Sequence, residues 1–293
     1  IDSEAGRKAM ESGSSFFGLM KTMAVMFRES KGITRRMLRD AWEAARKAGP
    51  DLIVFHPKAM AGIHLAEKLK IPGLMALPVP IMVPTAEYPA IGFPRLGLGA
   101  WYSRISYRIL HKGYHSYDSV INEFRRKTLG LGRYPRSAKP YETSKRELLT
   151  VLHGYSESVW PRPRDWPEKA MVTGYWFLDS EEGESLPPEL ETFLEKGEPP
   201  VCVGFGSMSG RNPRKTADTV VEALQIAGVR GVLLSGWGGL EPSELPDTVF
   251  QVEQAPYDLL FPRVSAVVHH GGAGTTAEGL RAVEQAAGPE RPN

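Results

Sequence analysis

Short apolar runs alternate with longer amphipathic stretches along most of this chain, and that alternation constrains the fold more than any other feature. Runs at 51–55, Gly73–Leu77, 147–153, 201–205, Gly231–Leu234, Val249–Val252 and 265–269 have the length of buried strands. Helical periodicity covers 1–49, 59–70, 107–128 and Pro213–Ala227, with a short turn of helix at 258–261. Strands joined through helices must cross over in the same direction, which predicts parallel sheets and an α/β fold.

With 293 residues the chain can hold two units, each burying its own core without a metal or disulfide. Residues 179–200 are acidic and punctuated by Pro187, Pro188, Pro199 and Pro200, so the boundary is expected there. The expectation is a Rossmann-like domain over 1–178, a linker over 179–200 and a second Rossmann-like domain over 201–293. Doubly wound domains carry five or six strands and open on a strand; the second region shows four, and the first opens on helices. Sequence is therefore expected to be missing from both ends. Residues 78–107, rich in Pro and Gly with Tyr88, Phe93, Trp101 and Tyr102, read as a binding loop rather than a solvated linker.

Composition narrows the class of function. A hydrophobic fraction of 42% with 24% charged residues is that of a globular protein. A net charge of +2 with no dense basic tract argues against nucleic acid as a partner. The one cysteine, Cys202, lies in an apolar run, which predicts a buried, unreactive thiol and a reducing compartment. No apolar stretch reaches the roughly 18 to 20 residues that span a bilayer. The expected location is cytoplasmic, with peripheral membrane contact as an open option.

The richest segment for chemistry is Val267-Val-His-His-Gly-Gly-Ala-Gly-Thr-Thr-Ala-Glu-Gly-Leu280, an apolar strand running through glycines into a helix. A helix starting near Gly274 aims free N–H groups and its positive dipole end at an anion, and glycines let phosphate oxygens approach the backbone. Thr275, Thr276 and His270 add hydrogen-bonding groups suited to a diphosphate. A tight strand-to-helix turn with a core histidine would use the same letters. Further loops follow the other strands of this region: Gly204-Phe-Gly-Ser-Met-Ser-Gly210, Ser235-Gly-Trp-Gly-Gly-Leu240 and Gln254-Ala-Pro-Tyr257. In a parallel sheet those ends converge on one crevice, which favours a nucleotide site over any single-loop reading. Neither a dinucleotide fingerprint nor a Walker pattern is present.

Taken together, Gly204-Phe-Gly-Ser207, Gly236-Trp237, Ala255-Pro-Tyr-Asp-Leu-Leu-Phe-Pro262, His269-His-Gly-Gly-Ala-Gly-Thr-Thr276 and Gly279-Leu-Arg-Ala282 resemble the sugar-nucleotide half of inverting UDP-sugar glycosyltransferases. Phe55-His-Pro-Lys-Ala59, Trp160-Pro-Arg-Pro163, Asp165-Trp-Pro167 and Val172-Thr-Gly-Tyr-Trp-Phe-Leu-Asp179 resemble the same family, and its sterol 3-beta-glucosyltransferase branch is the most similar. The resemblance implies a GT-B fold of two facing Rossmann-like domains, acceptor on the first and nucleotide sugar on the second. Carried onto this chain, it places Gln254, Ala255 and Tyr257 at the uracil and His270 at the diphosphate, with Gly272 among the donor-binding residues. Ala273, Gly274, Thr275 and Thr276 fall on the phosphates, and Glu278 on the ribose hydroxyls. Ser207 faces the phosphate or the transferred sugar, and Gly206 and Trp237 complete the expected donor-binding set.

Tyr257 stands where the sterol branch has a histidine, and residues 283–293 carry neither the Gly-x-Pro nor the Asp-Gln pair that continues the family pattern. The glycine-rich loop that supplies the family's acceptor-activating group has no counterpart here. His56, just past a strand, is the one weak candidate for a catalytic base, and His153 could also border the acceptor crevice; both equally suit a structural role. Phe16, Phe17, Leu19, Met20, Met23, Met26 and Phe27 fit a core helix face, and also a lipophilic pocket or membrane contact. Arg35, Arg36, Arg39 and Arg46 mark a solvated helix face. The expected activity moves a hexose, glucose first among them, from a UDP-sugar to a hydroxyl of a lipophilic acceptor such as a sterol, with inversion, no metal and no other cofactor. Alternatives are a macrolide, polyketide or glycolipid acceptor, or a non-catalytic nucleotide-sugar or lipid-binding protein.

Overall fold

Apolar side chains of the first sheet gather into one core cluster, and the strands Val201–Gly204 and Gly231–Leu234 of the second feed apolar layers on both faces. The computed structural model describes residues 16–206, 212–236 and 240–287, and the chain divides into two compact units, 1–174 and 175–293. Residues 1–15, Ser207, Trp237 and the side chains of the Met-rich stretch from Phe16 to Phe27 lie outside the described part.

The first unit holds a four-stranded parallel sheet in the order β1 (Ile53–Phe55), β2 (Gly73–Leu77), β3 (Thr150–His153), β4 (Ala170–Val172). A long helix α1 (Phe16–Ala48) precedes it, and α2 (Gly62–Leu69) joins β1 to β2. Between β2 and β3 run α3 (Ala100–Tyr114) and α4 (Asp118–Phe124). One apolar layer gathers Phe55, Met75, Leu77, Val151 and Trp166; a second packs Leu38 of α1 against Leu65 of α2 and Val120 and Phe124 of α4. The helix expected over 107–128 begins earlier and is interrupted. Gly99, at φ +77°, starts α3 at Ala100, and a 3₁₀ turn over His115–Tyr117 separates α3 from α4.

In the second unit the parallel order is β7 (Val249–Val252), β6 (Gly231–Leu234), β5 (Val201–Gly204), β8 (Ala266–His269). Its helices are α5 (Pro188–Glu195), α6 (Pro213–Ala227), α7 (Tyr257–Leu260) and α8 (Ala273–Ala287). Period-two alternation is explicit here: Cys202, Val232 and Leu234 face one layer, and Val203 and Leu233 face the other with Val221 and Leu224 of α6. Cys202 is fully buried, and that burial pushes its thiol up to about 12.

The segment 179–200, expected as a linker, is built into the second unit, which begins at Tyr175. Leu190 and Leu194 of α5, with Leu186 just ahead of the helix, pack against Cys202, Val232 and Leu260. Burying these leucines outweighs the disorder that acidic and proline residues favour, since each buried leucine contributes about 2 kcal/mol.

Candidate functional site

The registers of the second sheet set the site. Gly204 pairs with both Leu234 and His269, and Leu234 with Val252, so four strands end on one line. The loops that follow them share the carboxyl edge, where ligands bind in open parallel sheets. The loop after β6 is tied to the one after β7 by the Ser235 N–H to the Val252 carbonyl (3.0 Å) and the Gly236 N–H to the Glu253 carbonyl (2.9 Å).

Beyond β8, the Gly272 carbonyl accepts the first helical hydrogen bond of α8, from the Thr276 N–H at 2.9 Å. The N–H groups of Ala273, Gly274 and Thr275 therefore have no acceptor inside the helix, and its first turn carries no acidic side chain. His270 is fixed beside them by close approach. A Cβ on Gly206 would lie 3.2 Å from the His270 ring, and one on Gly272 would lie 2.7 Å from its Nε2. Gly206 also takes φ +60°, which a side chain would strain.

A cavity of about 800 Å³ opens next to this edge, lined by Gly206, Leu234, Gly236, residues 253–258 and Glu278. Of the residues expected to hold the donor, Gly206, Gln254, Ala255, Tyr257 and Glu278 line it. His270, Gly272, Ala273, Gly274, Thr275 and Thr276 do not. They stand at the start of α8, with His270 reached through Gly206. Tyr257, the departure from the sterol pattern, stacks its ring on Phe261 with centroids 4.5 Å apart, so its side chain works chiefly in packing.

Part of the wall comes from Leu178, expected at the end of the first domain, and from Asp179, Ser180 and Glu184, expected in the linker. Ser180 donates from its N–H and its hydroxyl to the two oxygens of Asp258, each at 2.8 Å, which staples this segment to the start of α7. Burial works against the charged form of Asp258, but those hydrogen bonds outweigh it and hold the carboxyl below its ordinary value. Arg281 pairs with Asp179, stands 3.9 Å from Glu278 and stacks over Phe177. Burial pushes the Glu278 carboxyl upward against the pull of Arg281. Spacing gave no signal for this contact, because Ser180 and Asp258 are 78 residues apart and meet only through the fold.

The histidines of the first unit play other parts. His56 accepts the Lys58 N–H on Nδ1 at 3.2 Å as the cap of a 3₁₀ turn, and partial burial followed by the Lys58 charge lowers its pKa. His153 is fully buried, stacked on Trp166 with centroids 4.3 Å apart, which takes it out of contact with any open crevice. The loop expected to bind ligand is pinned to its own unit. Thr85 and the Ala86 N–H both donate to Asp165 (2.6 and 2.7 Å), and Tyr88 meets Trp160 edge-on. Among the described residues, no group of three or more His, Cys, Asp or Glu side chains could hold a metal ion.

No protein-family model matches the chain. A sterol 3-beta-glucosyltransferase of Aspergillus clavatus is 34% identical over 95% of this chain, and one of Leptosphaeria maculans 36% over the same share. A sterol 3-beta-glucosyltransferase of Arabidopsis thaliana is 38% identical over 79%. The chain spans about one fifth of the length of these fungal relatives and 36% of the plant one. Among solved structures, the glycotransferase of kitacinnamycin superposes with a TM-score of 0.53 at 18% identity, covering 92% of this chain and 63% of its own. The glycosyltransferase VinC in complex with DTDP superposes with a TM-score of 0.51 at 19% identity, covering 89% and 60%. The fold is therefore α/β of the GT-B glycosyltransferase type, and along nearly its whole length the chain is similar to one segment of the sterol 3-beta-glucosyltransferases.

Proposed function

We propose that the second unit binds a UDP-sugar and that the protein transfers a hexose, glucose first among them, to a hydroxyl of a lipophilic acceptor such as a sterol, with inversion. The observation that carries this reading is the row of strand ends at which the free amides of α8 and His270 adjoin a cavity of nucleotide size. In this reading the base and ribose occupy the cavity, with residues 254–257 offering backbone groups and Glu278 accepting ribose hydroxyls. The diphosphate reaches the α8 N-terminus. Charge develops on the departing UDP as the sugar–phosphate bond breaks, and donors fixed in advance stabilise it without a metal. The names of the curated relatives support a sterol as acceptor.

Calorimetric titration with UDP, followed by product analysis with UDP-glucose and cholesterol, tests the proposal. Parent protein is expected to bind UDP, and His270→Ala to bind at least about tenfold more weakly, the loss of one charge-assisted hydrogen bond. Absence of UDP binding would sink the reading. Binding without transfer to any sterol, macrolide or glycolipid would favour a nucleotide-sugar-binding protein instead.

A further inference from the structure

Helix α3 buries one face and leaves a patterned one outside. Ser103, Ser106 and Tyr107 point into the first unit. Trp101, Ile105 and Ile109, four residues apart, form an outward stripe in which Trp101 is 60% exposed and Ile109 53%. Leu96 and Leu98 are exposed just before the helix, and the Tyr102 hydroxyl donates to the Pro94 carbonyl at 3.0 Å, folding that approach back onto the first turn. Single exposed apolar residues are ordinary, but five large ones run together here.

Arg104, Arg108 and Lys112 repeat at the same four-residue spacing along the edge of this stripe, and α3 contains no Asp or Glu. Beside them opens a cavity of about 520 Å³, lined by Arg104, Arg108, His111 and Lys139 together with Tyr107 and Glu142. Lys139 is paired with Glu142 at 3.3 Å, and His111 Nε2 lies 2.9 Å from the Met82 carbonyl. Arg104 and Arg108 have no such partner among the described residues, and the buried Tyr107 hydroxyl is unpartnered as well.

We propose that α3 docks the first unit on an anionic phospholipid bilayer, with Trp101, Ile105 and Ile109 at the boundary of headgroups and acyl chains and Arg104 and Arg108 on headgroup phosphates. The charge pattern selects this occupant. A second copy of the chain meeting the same face about a two-fold axis would set three cations against three, whereas a negative lipid surface complements them. An uncharged apolar ligand would leave the cations and the cavity without a role. This inference stands apart from the nucleotide reading, since every residue it uses lies in the first unit.

Co-sedimentation of the full chain with phosphatidylcholine vesicles, with and without phosphatidylserine, tests it. Binding is expected on the phosphatidylserine vesicles alone and is expected to weaken as salt is raised. Arg104→Gln with Arg108→Gln should bind about thirtyfold more weakly, two cations at about 1 kcal/mol each. Trp101→Ala with Ile105→Ala should lose binding as well, while both variants keep the parent's melting temperature because the altered side chains are outside the core. Equal binding by parent and variants would overturn the proposal, as would indifference to phosphatidylserine. So would binding of inorganic phosphate without vesicle binding, or a dimer that Trp101→Ala dissolves.

Discussion

His270 owes its position to what its neighbours lack. Two glycines leave room for the imidazole at the meeting point of β5, β8 and α8. Gly272→Ala would bring a methyl to 2.7 Å from Nε2 and force the ring aside. Its UDP affinity should fall about as far as that of His270→Ala, by roughly tenfold, while the melting temperature moves by no more than a few degrees. Calorimetric titration of both variants checks this, and an unaltered affinity in Gly272→Ala would show that ring placement is immaterial. His270, Glu278 and the glycines were legible because a strand, a glycine-rich turn and a helix follow one another in sequence. Asp258 and Ser180 were not, since 78 residues separate them and neither stands in a local pattern.

Element by element, most strands of both sheets were readable from apolar run length, and β4 was missed because Ala170–Val172 stands in no longer apolar run. α5 was missed for a different reason. Its Leu190 and Leu194, with Leu186 just ahead of the helix, are interleaved with Glu189, Glu191 and Glu195 and flanked by prolines, so local composition pointed to a linker while packing decided for a helix. Leu190 is fully buried, and Leu190→Ala should destabilise the second unit by about 2 to 5 kcal/mol. Urea denaturation followed by fluorescence measures it. A loss under about 0.5 kcal/mol would mean that the segment is peripheral to the core.

At the scale of the whole molecule, two buried histidines tie stability to pH. Burial, and then the adjacent Arg125 charge, lowers His64 to about 3; burial lowers His153 to about 4, against the effect of the Met171 carbonyl. Arg125 Nη1 donates to His64 Nδ1 at 3.0 Å and bridges to Glu67, so the imidazole is held neutral. Both folded values lie below the unfolded 6.5, so the unfolded chain takes up protons first as the solution is acidified. Their contribution is complete above pH 6.5 and is lost as pH falls from there toward 4 and 3. The slope is up to about 1.4 kcal/mol per pH unit for each histidine. Thermal melts should be flat just above neutrality and fall steadily below pH 6.5; a flat profile down to pH 5 would show that neither histidine is buried.

Cys202 turns the core of the second unit into a clock. It is the one thiol in the chain, it sits in the middle of β5, and it has no exposed surface. A thiol reagent can reach it only when the second unit opens, so the rate of modification in the native protein reads the opening equilibrium without any introduced label. Any ligand that closes over those strand ends must slow that rate by the factor by which it favours the closed state, one plus its concentration over its dissociation constant. The same cysteine therefore ranks nucleotides and sugar nucleotides against one another with no acceptor and no turnover required.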